Sequence, residues 1–94
     1  MSKITKSARG EECQIRIPGI CNKNQETTVF CHLNGYGMGG KHADLFGSYG
    51  CSACHDVVDY RTEPGYNRHY VKKCFYEGVF RTQQILIDKG LVKI

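Results

Sequence analysis

The stretch CSACHDVVDYR, Cys51 to Arg61, sets two cysteines with two residues between them, a histidine directly after the second, and an aspartate four residues beyond that histidine. A redox dithiol, half of a disulfide framework, a structural metal knuckle and the metal-binding half of an active site all share this pattern. The rest of the chain narrows the choice. MSKITKSARGEEC, the N-terminus, carries Lys3, Lys6 and Arg9 but no apolar run, so no signal peptide is expected and the thiols are expected to stay reduced in a cytoplasmic setting. In such a setting a CxxC pair reads as a metal or catalytic site rather than a structural disulfide. A thiol oxidoreductase is disfavoured because no βαβ pattern surrounds the motif.

Working outward, 94 residues make one small domain, a size at which an apolar core alone supplies roughly 3 to 5 kcal/mol. Six cysteines are the obvious supplement. No stretch approaches the roughly 20 apolar residues that span a bilayer. Thirteen Lys and Arg against nine Asp and Glu give a formal charge of +4, the sign that suits a polyanionic partner and equally suits plain solubility.

Residues 1–11 are polar, basic and aperiodic, and are expected to form a flexible arm. CQIRIPG, from Cys13, alternates Ile15 and Ile17 with Gln14 and Arg16 until Pro18 and Gly19, which predicts a short strand and a turn. TTVFCHL, residues 27–33, predicts a second strand and a hairpin with the first. Six of the eleven glycines fall between Asn34 and Gly50, a density that predicts a long loop without regular structure. From Ser52, Cys54, Val57, Val58 and Arg61 recur at helical spacing until Glu63, Pro64 and Gly65. Residues 66–89 give a partly amphipathic helical pattern that Gly78 is expected to weaken or split, and Lys89 and Gly90 mark its stop.

Structural zinc takes four tetrahedral soft ligands, usually as two pairs on two turns. Cys51 and Cys54 form one pair, and Cys13 and Cys21, flanking the first predicted strand, are the partner pair with the best context. Cys74 reads as a small buried apolar residue on a helix face, and alternation turns Cys31 away from the face of His32. His55 and Asp59, four apart on the predicted helix, share a face and suit a divalent cation, although an ordinary surface contact gives the same spacing. Strand, loop and zinc-tethered helix then set His32 opposite His55.

The order of a cysteine pair, a strand ending in histidine, a glycine-bearing loop, a polar residue ahead of the second pair, and CxxCH opening a helix resembles the HNH, ββα-metal or His-Me finger endonucleases with a four-cysteine zinc site. CQIRIPGICNKNQETTVFCHLNG together with CSACHDVVDYRT is more closely similar to the small nucleases of lambdoid phages and prophages, the YbcO-like group, over roughly residues 8–62. The resemblance implies an α+β fold: a zinc-stabilised ββα finger about residues 13–62 within a single domain 12–94, with a C-terminal helical extension about 66–94. It implies hydrolysis of phosphodiester bonds in DNA, with His32 as general base and His55 on a catalytic Mg²⁺ or Mn²⁺ beside the structural Zn²⁺; either Asp59 or Asp44 then completes that site, or a softer metal is used. Asp44 stands where the family has its middle asparagine, a departure that still allows a carboxylate to hold the His32 ring. Cys31 stands where many members place a further hard ligand, and a thiolate suits Mg²⁺ poorly. Lys41, Arg61, Arg68, Lys72 and Lys73 are the expected phosphate contacts, and Tyr36 a candidate for stacking on a base. The implied setting is the cytoplasm of a bacterial host, from a phage or prophage gene. The alternative is a zinc-stabilised nucleic-acid-binding module without catalysis.

Overall fold

A computed structural model of the chain describes residues 3–33, 43–63 and 65–93. Three α-helices and a two-stranded sheet occur among them in the order α1 (Lys3–Lys6), β1 (Val29–Cys31), β2 (Ser48–Gly50), α2 (Ser52–Val58) and α3 (Arg68–Asp88). Single 3₁₀ turns at Gln25–Thr27 and Asp44–Phe46 lead into β1 and β2. The result is a small α+β fold in which β1, β2 and α2 follow one another directly. Among the described residues, no helix is long and apolar enough to cross a membrane.

The sheet is antiparallel, with Val29 opposite Gly50, Phe30 opposite Tyr49, and Cys31 opposite Ser48. Sequence periodicity misplaces both the partner and the register. The first predicted strand, Cys13 to Ile17, is not a strand, because Arg16 adopts the left-handed conformation with φ 56° and breaks the extended run. Ile15 and Ile17 are buried as the alternation demands, but Gln14 is buried beside them. That segment still lies along β2, where the Gln14 N–H donates to the Tyr49 carbonyl at 3.0 Å. β2 itself falls inside the glycine-dense stretch expected to lack regular structure. Its strand conformation comes from tertiary partners: the Tyr49 N–H, facing away from β1, donates to Thr82 Oγ1 of α3 at 3.1 Å.

α3 packs against β2 as one unbroken helix of 21 residues, so Gly78 does not split it. A Cβ at Gly78 would lie 2.6 Å from Ser48 Oγ and 3.0 Å from the Gln14 carbonyl oxygen, so the missing side chain is what lets helix and sheet approach. Asn67 caps the start, its side chain accepting from the His69 N–H at 2.7 Å. Gly90, with φ 77°, closes the end. α2 stops at Val58, well before Pro64, because Tyr60 turns to φ 65°. Asp59 is therefore a C-cap residue rather than a helical one.

The buried core has two parts. Ile15, Ile17, Val57, Val71, Phe75 and Val79 pack around the cysteines, while Ala8, Phe30, Tyr49 and Leu86 form a second cluster. Ala8 belongs to the segment expected to be a flexible arm. That segment is docked instead: the Ser7 and Tyr49 hydroxyls lie 2.6 Å apart, and Lys89 reaches Glu11 at 2.9 Å. Its polar composition hides one small apolar residue and one hydroxyl that meet a buried tyrosine.

Candidate functional site

Two loop segments and the start of α2 converge on a cluster of sulfurs. The donor atoms of Cys13, Cys21, Cys51 and Cys54 all lie within 4.8 Å of one another. Cys51 Sγ and Cys21 Sγ are 3.9 Å apart, close to the roughly 3.8 Å edge of a tetrahedron with 2.3 Å metal–sulfur bonds. The four side chains thus stand close enough to hold a metal ion such as zinc.

Backbone N–H groups support the sulfurs. Cys13 Sγ accepts from the Arg16 N–H at 3.5 Å, and Cys51 Sγ from the N–H groups of Cys54 at 3.4 Å and Asn22 at 3.5 Å. Such donors stabilise negative sulfur and orient it toward an ion. Left-handed turns at Arg16 and Lys23 follow the first two cysteines and fold the chain around them. Arg16 stands to Cys13 as Cys54 stands to Cys51, three residues on, a spacing visible in the sequence once the role of the N–H is known.

Protonation follows the same crowding. A hydrogen bond from the Cys54 thiol draws Cys13 down to about 4, and the same contact pushes Cys54 up. Burial pushes Cys21 up to about 11. Cys31, outside the cluster and fully buried, is pushed up chiefly by burial and next by neighbouring charge, including that of Asp59. Cys31 is thus a neutral core thiol, turned inward as alternation requires, while half-exposed His32 faces out. Cys74 is likewise buried on α3.

Among the described residues, two histidine–carboxylate pairs lie outside the sulfur cluster. His32 follows β1, and its Nε2 lies 3.3 Å from Asp44 Oδ1 on the 3₁₀ turn before β2. The Phe30 ring packs edge-on to His32 with centroids 5.1 Å apart. His55, on α2, places Nε2 2.9 Å from Asp59 Oδ2. Cis ligands at roughly 2.1 Å from an octahedral ion lie about 3 Å apart, so this second pair has the spacing of a chelate as well as of a direct contact. Residues flanking His32 border the end of α2: Cys31 feels the charge of Asp59, and Leu33 lines a cleft with Val58.

The basic candidates divide. Arg61 lies 3.7 Å from Asp56 and 3.9 Å from Asp59. Arg68 is tied inward, its Nη1 donating to the Val57 carbonyl at 2.6 Å and its guanidinium stacked 4.1 Å from the Tyr60 ring centre. Lys72 and Lys73 are exposed on α3. Lys41 and Tyr36 lie outside the described residues. Tyr60, unremarkable by sequence, lines the same cleft as Leu33 and Arg68, and only its left-handed backbone brings it there.

Comparison with known proteins adds a family. A protein-family model described as "Putative nuclease YbcO" matches residues 2–91. "Putative nuclease YbcO" of Escherichia coli (strain K12) and "Putative nuclease ybcO" of Enterobacteria phage 82 are each 46% identical to the chain over 96 residues, covering 99% of both sequences. A solved structure, "Structure of a putative bacteriophage protein from Escherichia coli str. K-12 substr. MG1655", superposes with a TM-score of 0.81 at 46% identity. It covers 93% of this chain and 99% of its own.

Proposed function

This chain belongs to the YbcO family, and from that premise we propose that it is an HNH-type, metal-dependent endonuclease that hydrolyses phosphodiester bonds in DNA. The observation that carries the reading is the contact between His32 and Asp44 at the end of β1. A carboxylate 3.3 Å from Nε2 favours the ring proton on that nitrogen and leaves the Nδ1 lone pair as the base. Nδ1 of His32 takes a proton from water as its oxygen attacks phosphorus, and Asp44 keeps the ring in that tautomer and steadies the imidazolium that forms.

His55 and Asp59 are the ligands for the catalytic cation, Mg²⁺ or Mn²⁺, which when bound offsets charge on the phosphoryl and leaving oxygens. Zinc on Cys13, Cys21, Cys51 and Cys54 is structural: it ties the segment before β1 to the start of α2 and so fixes where His55 stands. Arg61, Lys72 and Lys73, with Lys41, contact the phosphate backbone. Arg68 acts through Tyr60.

The test is divalent-metal-dependent cleavage of single-stranded, double-stranded and branched DNA with His32→Ala alongside. Loss of about 10²- to 10⁴-fold in rate, at unchanged zinc content and melting temperature, is expected. A variant that cuts as well as the parent would remove His32 as the base. DNA binding without any metal-dependent cutting by the parent would leave the non-catalytic module in its place.

A further inference from the structure

We infer that the cleft between the end of α2 and the first half of α3 receives an unpaired nucleobase, so that the substrate carries a single-stranded segment at the site of binding. The inference rests on the nuclease reading above and deepens it. The cleft encloses about 330 Å³, within the roughly 300 to 1,000 Å³ of small-ligand sites. Its floor is buried Phe75, and its walls include Leu33, Tyr60, Arg68, Lys72 and Tyr76.

Arg68, Lys72 and Tyr76 stand at successive four-residue steps along α3 and therefore form one stripe on the helix. Tyr60 joins them from the end of α2. Tyr60 is 59% exposed and Tyr76 is 46% exposed, a large aromatic area to leave in water. A left-handed tyrosine is a costly conformation, and the guanidinium of Arg68, anchored on the Val57 carbonyl, holds the ring in place. A fixed aromatic platform with a lysine on the adjoining turn is the chemistry that stacks a base and pairs its phosphate. Among the described residues that line the cleft, none is acidic.

Position supports the same occupant. Leu33 follows His32 in the chain, and Val58 and Tyr60 flank Asp59, so segments that carry both histidine–carboxylate pairs also contribute to the cleft. Bases stacked inside a duplex cannot enter, so the cleft selects for unpaired nucleotides.

Binding is measured by fluorescence anisotropy with zinc-loaded His32→Ala protein, on an oligothymidylate, an abasic strand of equal length and a blunt duplex. The oligothymidylate is expected to bind tightest. Tyr76→Ala and Tyr60→Ala each weaken it by about fivefold to a hundredfold, the range for one lost stacking partner, and leave duplex affinity unchanged. Tyr76→Phe restores binding. Equal affinity for the oligothymidylate and the abasic strand would overturn the inference with no variant involved, as would ring-deleted, fully folded variants that bind like the parent. A parent protein that cuts nothing yet shows the ring-dependent preference removes the nuclease reading alone. One that cuts while binding abasic and base-bearing strands alike removes the cleft alone.

Discussion

His32 and Asp44 form a unit whose two halves fail differently. Asp44→Asn keeps the shape but presents an amide where the ring proton needs a full negative charge, so about a 10- to 100-fold loss of cleavage rate is expected. Zinc content and melting temperature should hold, and a rate equal to the parent's would show that Asp44 does not orient the base. At this scale the chain was partly legible. The four-residue step from His55 to Asp59 gives one contact directly, and the CxxC spacing marks half of the sulfur cluster. The N–H donor of Asn22 and the left-handed Tyr60 were not legible, because backbone torsion at a polar or aromatic residue leaves no periodic trace.

At the scale of elements, the sheet depends on the helix packed against β2. Thr82 Oγ1 accepts from the Tyr49 N–H and lies 3.4 Å from Ser48 Oγ, all three residues fully buried. Thr82→Val preserves the volume and strands that N–H without a partner. A loss of about 1 to 3 kcal/mol is expected, read as a drop in melting temperature of about 4 to 8 °C per kcal/mol for a domain of this size. An unchanged melting temperature would mean that water or a shifted Ser48 replaces the threonine. The same contact explains why β2 was hidden. Three residues in a run of glycines carry no strand signal of their own, and Phe30 across the sheet and Thr82 beneath it make them extended. The alternation at Cys13 to Ile17 misled for the opposite reason: Ile15 and Ile17 are buried as a strand would bury them, while Arg16 between them turns the chain. α3 was legible as helix and not as a single piece, since only the closeness of Ser48 reveals what Gly78 is for.

For the whole molecule, the sulfur cluster is expected to decide whether the chain folds. Structural zinc contributes an apparent 10 to 16 kcal/mol in small domains at neutral pH, against total stabilities of about 5 to 15 kcal/mol. One zinc per chain is therefore expected, with loss of cooperative unfolding on chelation or in Cys51→Ser. A metal-free chain melting like the parent would end that view. A weaker tie joins the two ends of the molecule. The Glu11 carboxylate, hydrogen-bonded to Lys89, raises the ammonium above its usual 10.5. The folded value exceeds the unfolded one, so the contribution is full below 10.5 and disappears as the pH rises through the raised value. Lys89→Met should therefore melt slightly below the parent at neutral pH, the gap closing under alkaline conditions, and a gap that persists there would assign it to lost packing.

The four clustered cysteines also come from both halves of the polypeptide. During synthesis, Cys13 and Cys21 leave the ribosome as half a chelate, and nothing completes it until Cys54 has followed. An ion held by all four would thus be captured only after Cys54 has emerged, and a nascent fragment cut short before that residue would lack the complete chelate.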